Sequence, residues 1–194
     1  MSKFRLLVAL VGAICAMAVA ANAASASSIT VSPAGSFTAT SAQNLTLGSG
    51  SIALACNLTF GGSLNASDTI TPPSTSIGSI TSATGGSCTN TGSVSFASPV
   101  NMGLLFTGLD ASGAAQLTIT NIDTTIRVLG GLVTCEYRGS TGGSLNTTGS
   151  GSTATRMNFA GSLPLSSGGS LCPNPGPLNG FVTLTTGQRV TLVP

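Results

Sequence analysis

Apolar and polar residues alternate along several short stretches of this chain, most regularly over residues 51–60. Every second residue from Ile52 to Phe60 is apolar or a cysteine, and small or polar residues stand between them. A period of two buries one face of a strand and exposes the other, so this stretch predicts a half-buried β-strand. Shorter versions of the same pattern follow at residues 133–137, 157–163, 181–185 and 190–192.

Clusters of Gly, Ser, Asn and Pro separate these stretches, notably at residues 71–74 and 173–177. Many short strands with turn residues between them are typical of antiparallel sheets packed face to face. The pattern therefore predicts an all-β fold, an antiparallel β-sandwich of immunoglobulin-like or jelly-roll-like type, formed by residues 24–194 as one domain. Residues 139–152 are rich in Gly and Ser, and we interpret them as a long hairpin.

Residues 1–23 have the three parts of an export signal. Lys3 and Arg5 form a positive start, residues 6–20 are apolar, and Ala21-Asn22-Ala23 offers a small-x-small cleavage site. The apolar run is about 15 residues long, shorter than the ~20 that a membrane-spanning helix needs. We expect cleavage after Ala23, a secreted protein at the cell surface or in the extracellular space, and no transmembrane segment in the mature chain.

The mature chain is expected to carry very little charge. Lys3 and Arg5 are removed with the signal, and few charged residues follow. Four basic and four acidic residues remain and cancel: Arg127, Arg138, Arg156, Arg189, Asp68, Asp110, Asp123 and Glu136. Such a surface has no basic stripe for nucleic acid. It also has little charge repulsion to keep molecules apart, so self-association is expected.

The composition excludes most catalytic chemistry. There is no histidine in the chain, which excludes Ser-His-Asp and Cys-His arrangements. The mature chain has no lysine for a Ser-Lys pair. Among the few carboxylates, Asp123 and Glu136 lie in or beside predicted strands, where a solvated surface role is the expected one. The sequence predicts a protein that is not an enzyme, with no cofactor and no metal site.

The cysteines predict two disulfides. Cys15 leaves with the signal, and the even set of Cys56, Cys88, Cys135 and Cys172 remains. An even number of cysteines in an exported chain indicates disulfide bonds, and four cysteines allow three pairings. A metal site is the alternative, but no two of them have the close spacing of metal ligands.

The two halves of the chain contain similar runs. Gly-Gly-Ser-Leu-Asn follows Cys56 at residues 61–65 and follows Cys135 at residues 142–146. The matching positions are roughly 80 residues apart, which suggests two pseudo-repeats. Chance is the alternative, because Gly and Ser are so common here. A repeat favours pairing within each half, Cys56 with Cys88 and Cys135 with Cys172.

The first strand of the mature chain has two interpretations. Ile29 and Val31 belong to a short strand-like run, and Phe37 belongs to the next one, after Pro33. Such a strand either completes its own sheet or is donated to the open sheet edge of a neighbouring molecule.

The start of the mature chain at residues 29–40, the cysteine strand ending at residues 56–62, and the later Cys88 resemble the small secreted proteins known as PraB-like activators of alkane oxidation. The resemblance implies an exported, disulfide-bonded β protein associated with biofilm matrix and with growth on alkanes. It implies an extracellular, non-catalytic role and transfers no catalytic residue.

The sequence therefore predicts a secreted structural, cell-surface or biofilm-matrix protein that acts by self-association or adhesion to other matrix or surface components. An alternative is an extracellular module that binds an apolar small molecule such as an alkane or lipid. The dense apolar run at residues 100–106 could line such a site, although a buried central strand is its ordinary interpretation. A weaker alternative is a fibre subunit that donates its first strand.

Overall fold

The computed structural model describes residues 28–65, 67–73, 75–147, 152–185 and 189–193. The predicted signal peptide, with Cys15, lies outside the described residues. The strands are β1 (Ser28–Ser32), β2 (Gly35–Thr40), β3 (Leu45–Leu47), β4 (Leu54–Leu64), β5 (Ser67–Ile70), β6 (Thr75–Cys88), β7 (Ser93–Phe96), β8 (Met102–Leu109), β9 (Ala115–Val128), β10 (Val133–Leu145), β11 (Arg156–Leu163), β12 (Leu165–Gly168), β13 (Gly176–Leu184) and β14 (Arg189–Val193). Short 3-10 turns occupy Gly50–Ile52 and Leu129–Gly131.

Most strands belong to one sheet that closes on itself. Its hydrogen-bonded neighbours run in the order β10, β11, β13, β2, β4, β6, β8, β9, and β9 pairs again with β10. These eight strands form a closed ring, and β3, β7 and β12 extend it at β4, β9 and β10. Closure pairs the backbone groups that an open sheet would expose at its edges.

The prediction of an all-β antiparallel fold with two disulfides is confirmed. The ring members follow one another in chain order, and all their pairings are antiparallel. Within the ring this arrangement is a meander, in which each strand pairs with the next ring strand along the chain. The sequence left the strand order open, because short uniform strands permit many registers.

Irregularities in the longest strands accompany the closure. The pairing register shifts between Gly61 and Gly62 in β4 and between Gly139 and Thr141 in β10. Such bulges bend a strand and increase its local twist. Gly62 also allows β4 and β6 to approach closely, since a Cβ there would lie 2.9 Å from the Cα of Ile80.

A second, three-stranded sheet packs against one end of the ring. Its order is β14-β1-β5, so the first and last described strands pair directly. Ile29, Val31, Ile70 and Val190 are buried and belong to the same apolar core as the ring strands. The small sheet therefore closes that end of the interior with side chains from both termini.

At the opposite end, four connections gather around the two disulfides, and we call residues 48–53, 89–92, 129–132 and 169–175 the disulfide end. The backbone N–H of Gly48 donates to the carbonyl of Pro177 at 3.0 Å. A Cβ on Gly92 would lie 3.0 Å from the carbonyl oxygen of Arg127. The Asn90 side chain also donates to the carbonyl of Ala53 at 3.2 Å, and the Cys135–Cys172 disulfide joins the last connection to β10, which follows the third, so all four lie side by side.

Candidate functional site

The interior of the ring is filled with apolar side chains. One internal cavity, lined by residues such as Phe60, Met102 and Phe159, has a volume of about 20 Å³. A second, lined by residues such as Phe37, Leu104 and Met157, also measures about 20 Å³. Ligand sites usually measure about 300–1,000 Å³. Each of these cavities has room for roughly one water molecule.

The apolar run at residues 100–106 contributes to this packing. Most of it forms β8, which lies between β6 and β9. Met102, Leu104 and Phe106 are buried and face the interior, whereas Leu105 is half-buried. The run is therefore a core strand, and the two described cavities beside its inward face measure about 20 Å³ each.

The four cysteines of the described residues form the pairs that the repeat favoured. Cys56 of β4 lies directly opposite Cys88 of β6 and is bonded to it, with the Cα atoms 4.0 Å apart. Cys135 of β10 is bonded to Cys172 in the connection before β13, with the Cα atoms 5.7 Å apart. Disulfides of this kind are typical of proteins outside the cytoplasm.

The two Gly-Gly-Ser-Leu-Asn runs end strands β4 and β10, which lie four strands apart in the ring of eight. Leu64 and Leu145, the leucines of the two runs, are both buried and line the same cavity. The two disulfides brace the same end of the ring. A duplicated origin for these halves stays a prediction.

The proposed donor strand pairs within its own chain. β1, with Ile29 and Val31, is the central strand of the small sheet and pairs with β14 on one side and β5 on the other. Phe37 lies in β2, inside the closed ring, and is 4% exposed. In this conformation both edges of β1 are occupied, so donating it would break two pairings.

The charged side chains of the ring lie outside it. Asp123 of β9 and Arg138 of β10 are directly opposite each other, and the Oδ2–Nε distance is 2.9 Å. The pair borders two adjoining open hollows of about 210 and 320 Å³ that share Asn121 and Asp123. A solvent-exposed cross-strand ion pair positions neighbouring strands but stabilises them only weakly.

The carboxylate of Asp110 has a structural role in the turn between β8 and β9. Its Oδ1 accepts hydrogen bonds from the hydroxyl of Ser112 at 2.6 Å and from the N–H groups of Ser112 and Ala114. The Ser112 hydroxyl, followed by the Ala114 N–H, lowers the pKa of Asp110. This carboxylate closes a turn; it is not paired with a second acid.

Three large apolar side chains of the described residues are exposed, and all lie at the disulfide end. They are Leu129 and Leu132, at the tip between β9 and β10, and Leu171, next to Cys172. Sequence reasoning missed this group. The available signal was the stretch Leu-Gly-Gly-Leu at residues 129–132, where two glycines predict a turn and the flanking leucines have no strand to bury them.

Within the described residues, no three His, Cys, Asp or Glu side chains come together as metal ligands. No helix among the described residues is long and apolar enough to cross a membrane.

A family model described as "Alkane oxidation protein activator PraA/PraB-like" matches residues 1–192. The match extends over almost the whole chain and includes both disulfide pairs. No curated protein and no solved structure matches the chain significantly.

Proposed function

We propose a function for this chain from one premise: it belongs to the PraA/PraB-like family of alkane oxidation protein activators. The protein is secreted and non-catalytic, and it acts through its exterior, by self-association or by adhesion to matrix or cell-surface components. Its contribution to alkane oxidation is then indirect, through the surfaces or assemblies that it forms outside the cell.

The filled interior carries this proposal. The cavities among Phe60, Met102 and Phe159 and among Phe37, Leu104 and Met157 measure about 20 Å³ each. Because these two cavities are too small for a ligand, we expect the described part of the chain to meet its partners on its surface. The two disulfides support a location outside the cytoplasm.

The outward faces of the strands support association. The second half of β6 exposes mainly Ser, Thr and Gly residues, and no charged residue occurs in the whole strand. Two copies can bring such faces together without desolvating charges, which would cost several kcal/mol for each buried ion. Strand addition to the ring itself is hindered, because its eight strands close on themselves.

Sedimentation velocity over a wide concentration range, combined with electron microscopy of the mature disulfide-bonded protein, tests self-association. We expect oligomers or fibres whose abundance rises with concentration. A monomer at every concentration overturns that part of the proposal. Adhesion is tested in a deletion strain, by imaging its matrix and comparing its secreted proteins with those of the parent strain. An unchanged matrix overturns the adhesive part of the proposal.

Binding of an apolar small molecule is the second candidate, favoured by the alkane in the family description. The core would have to open to admit a long hydrocarbon, because its cavities have the size of a water molecule. Calorimetry with hexadecane tests this candidate. Saturable uptake at one site per chain supports it, and absence of uptake removes it.

A further inference from the structure

We propose that the disulfide end attaches the protein to an uncharged lipid surface by inserting Leu129, Leu132 and Leu171, which we call the leucine tip. This inference deepens the adhesive part of the proposed function. It rests on that function in one respect, since the folded, disulfide-bonded chain has to meet the lipid outside the cytoplasm.

The exposure of the leucine tip contrasts with the rest of the apolar residues. Leu129 is 51% exposed, Leu132 87% and Leu171 63%, whereas the leucines that face the ring interior are almost fully buried. Scattered single apolar residues on a surface are ordinary, but a group gathered at one place marks a contact site. Here the group lies where four connections project from one end of the ring.

The disulfide between Cys135 and Cys172 holds the two parts of the tip together. Leu171 directly precedes Cys172, and Leu132 lies three residues before Cys135. The disulfide sulfur of Cys172 also lies 3.4 Å from the carbonyl oxygen of Thr134. The leucines are therefore presented on connected, braced loops, so little conformational freedom is lost when they bind.

The backbone at the tip adopts a conformation that favours exposure of Leu129. Its φ is +54°, in the left-handed region, and Gly130 and Gly131 follow with φ of +67° and +94°. Glycine adopts this region readily, but a bulky leucine there is an outlier. Outliers of this type concentrate at functional sites, where the surrounding structure holds them.

The charge at the disulfide end points to an uncharged partner. None of its four connections, residues 48–53, 89–92, 129–132 and 169–175, contains a charged residue. An anionic membrane is usually recognised by lysine and arginine, which these connections lack. A protein partner is disfavoured as well, since the cores of protein interfaces are enriched in aromatic residues, Met and Arg, and the four connections contain none of these.

The polar neighbours of the tip favour a lipid interface over bulk hydrocarbon. Ser170, which precedes Leu171, and Asn90, in another connection of the disulfide end, are exposed, and the Gly130–Gly131 turn presents backbone groups to solvent. Unpaired backbone groups are costly inside hydrocarbon, where nothing can hydrogen-bond to them. At a lipid surface the leucines reach the acyl boundary while these groups remain among headgroups and water.

Flotation of the mature disulfide-bonded chain with phosphatidylcholine vesicles tests the inference. We expect binding that does not depend on salt or on added anionic lipid. Leu132→Ser and Leu171→Ser should each weaken partitioning by about tenfold, because each removes most of one apolar anchor. Both side chains are largely exposed, so the fold should persist, and circular dichroism checks this.

A tryptophan placed at the tip provides a second readout, because the chain has no tryptophan of its own. Leu132→Trp should retain binding and shift its fluorescence to shorter wavelength when vesicles are added. The matched control is Thr107→Trp, at an exposed position on β8 near the turn to β9, whose fluorescence should not change.

Several results overturn the inference. One such result is that the parent chain does not bind vesicles, or binds only when anionic lipid is present. Another is that the serine variants bind as well as the parent, or that both tryptophan variants show the same fluorescence shift. Adsorption to hexadecane droplets without binding to vesicles would also contradict it. Sedimentation distinguishes a failure of this inference from a failure of the proposed function. Self-association without lipid binding leaves the proposed function intact and rejects only the lipid-binding role of the leucine tip.

Discussion

Gly176 lies directly against the aromatic ring of Tyr137. A Cβ built on Gly176 would contact the Cε1 atom of that ring and would lie 2.6 Å from its Cζ atom. Tyr137 is 2% exposed, and its hydroxyl donates a hydrogen bond to the carbonyl of Pro173 at 3.2 Å. The start of β13 and the connection before it are thus packed onto the single tyrosine of the chain.

Gly176→Ala should destabilise the protein by about 1–3 kcal/mol, the usual cost of forcing an extra methyl group into packed surroundings. The tyrosine ring cannot move aside easily, because it is enclosed and its hydroxyl is bonded. Urea unfolding followed by tyrosine fluorescence measures the difference, with Tyr137 as the only tyrosine reporter.

Gly142→Ala is the matched control for that substitution. Gly142 also lies in a strand, but a Cβ there meets nothing within 4 Å and its φ is not in the left-handed region. Its unfolding midpoint should stay close to that of the parent. Equal midpoints for the two alanine variants would contradict the packing argument.

Tyr137 should ionise only at high pH. Burial raises the pKa of Tyr137 above its ordinary value of 10.0, because the phenolate is less well solvated than in water. The contribution of this group to stability is therefore present below about pH 10. It is lost as the pH rises from the unfolded pKa through the folded pKa.

The absorbance of the phenolate, followed during a pH titration, checks this expectation. The midpoint should lie above that of the same protein in concentrated urea. Tyr137→Phe should remove the titration and flatten the alkaline side of the stability profile. A native midpoint equal to the unfolded one would show that the ring is accessible to water.

The alternation over residues 51–60 predicted the inward face of β4 well, because burial in a half-exposed strand depends on a local period of two. Leu54, Leu58 and Phe60 are buried, and Asn57 and Thr59 are exposed. The predicted beginning of the strand was less accurate, because β4 begins at Leu54, after a 3-10 turn over Gly50–Ile52.

The end of β4 shows what a local pattern cannot reveal. The strand continues through Gly61 and Gly62 to Leu64 with a register shift. Gly62 is required by the backbone of Ser79 and Ile80 on the neighbouring strand, and a Cβ on Gly61 would lie 2.6 Å from the hydroxyl oxygen of Ser82 on that same strand. Closure of the ring by β9 and β10 depends in the same way on long-range register, so the sequence indicated strands but not their order.

The turn at Asp110 should make stability depend on pH on the acid side. Hydrogen bonds from the Ser112 hydroxyl and from the Ala114 and Ser112 N–H groups lower the pKa of Asp110 below 3.8. Because the pKa of Asp110 is lower in the folded state, its contribution to the free energy of unfolding is complete above the unfolded pKa. That contribution is lost as the pH falls through the folded pKa.

NMR titration of the carboxyl carbon measures this pKa directly. Ser112→Ala should raise the pKa towards its ordinary value, because it removes the largest of these interactions. Asp110→Asn should reduce the loss of stability between neutral and acid pH. Ser166→Ala, which alters an exposed hydroxyl on β12, serves as the control and should leave the Asp110 titration unchanged.

The two disulfides should contribute similarly to global stability but differently to local opening. They close segments of similar length, with sequence separations of 32 and 37. Replacing either pair with alanines should therefore cost about 3 to 4 kcal/mol on a chain-entropy estimate. Urea unfolding of the two double variants measures this.

Hydrogen exchange should separate the two variants. Cys56 and Cys88 lie on strands that are also joined by backbone pairing, so β4 and β6 should remain protected without their disulfide. Cys172 lies in a connection that its disulfide fastens to β10, so loss of this bond should speed exchange at residues 169–175 while the ring stays protected. The contradicting result is that β4 and β6 exchange faster after loss of the Cys56–Cys88 bond than residues 169–175 do after loss of the Cys135–Cys172 bond. That result would show that the Cys56–Cys88 disulfide, and not the backbone hydrogen bonds, holds β4 and β6 together.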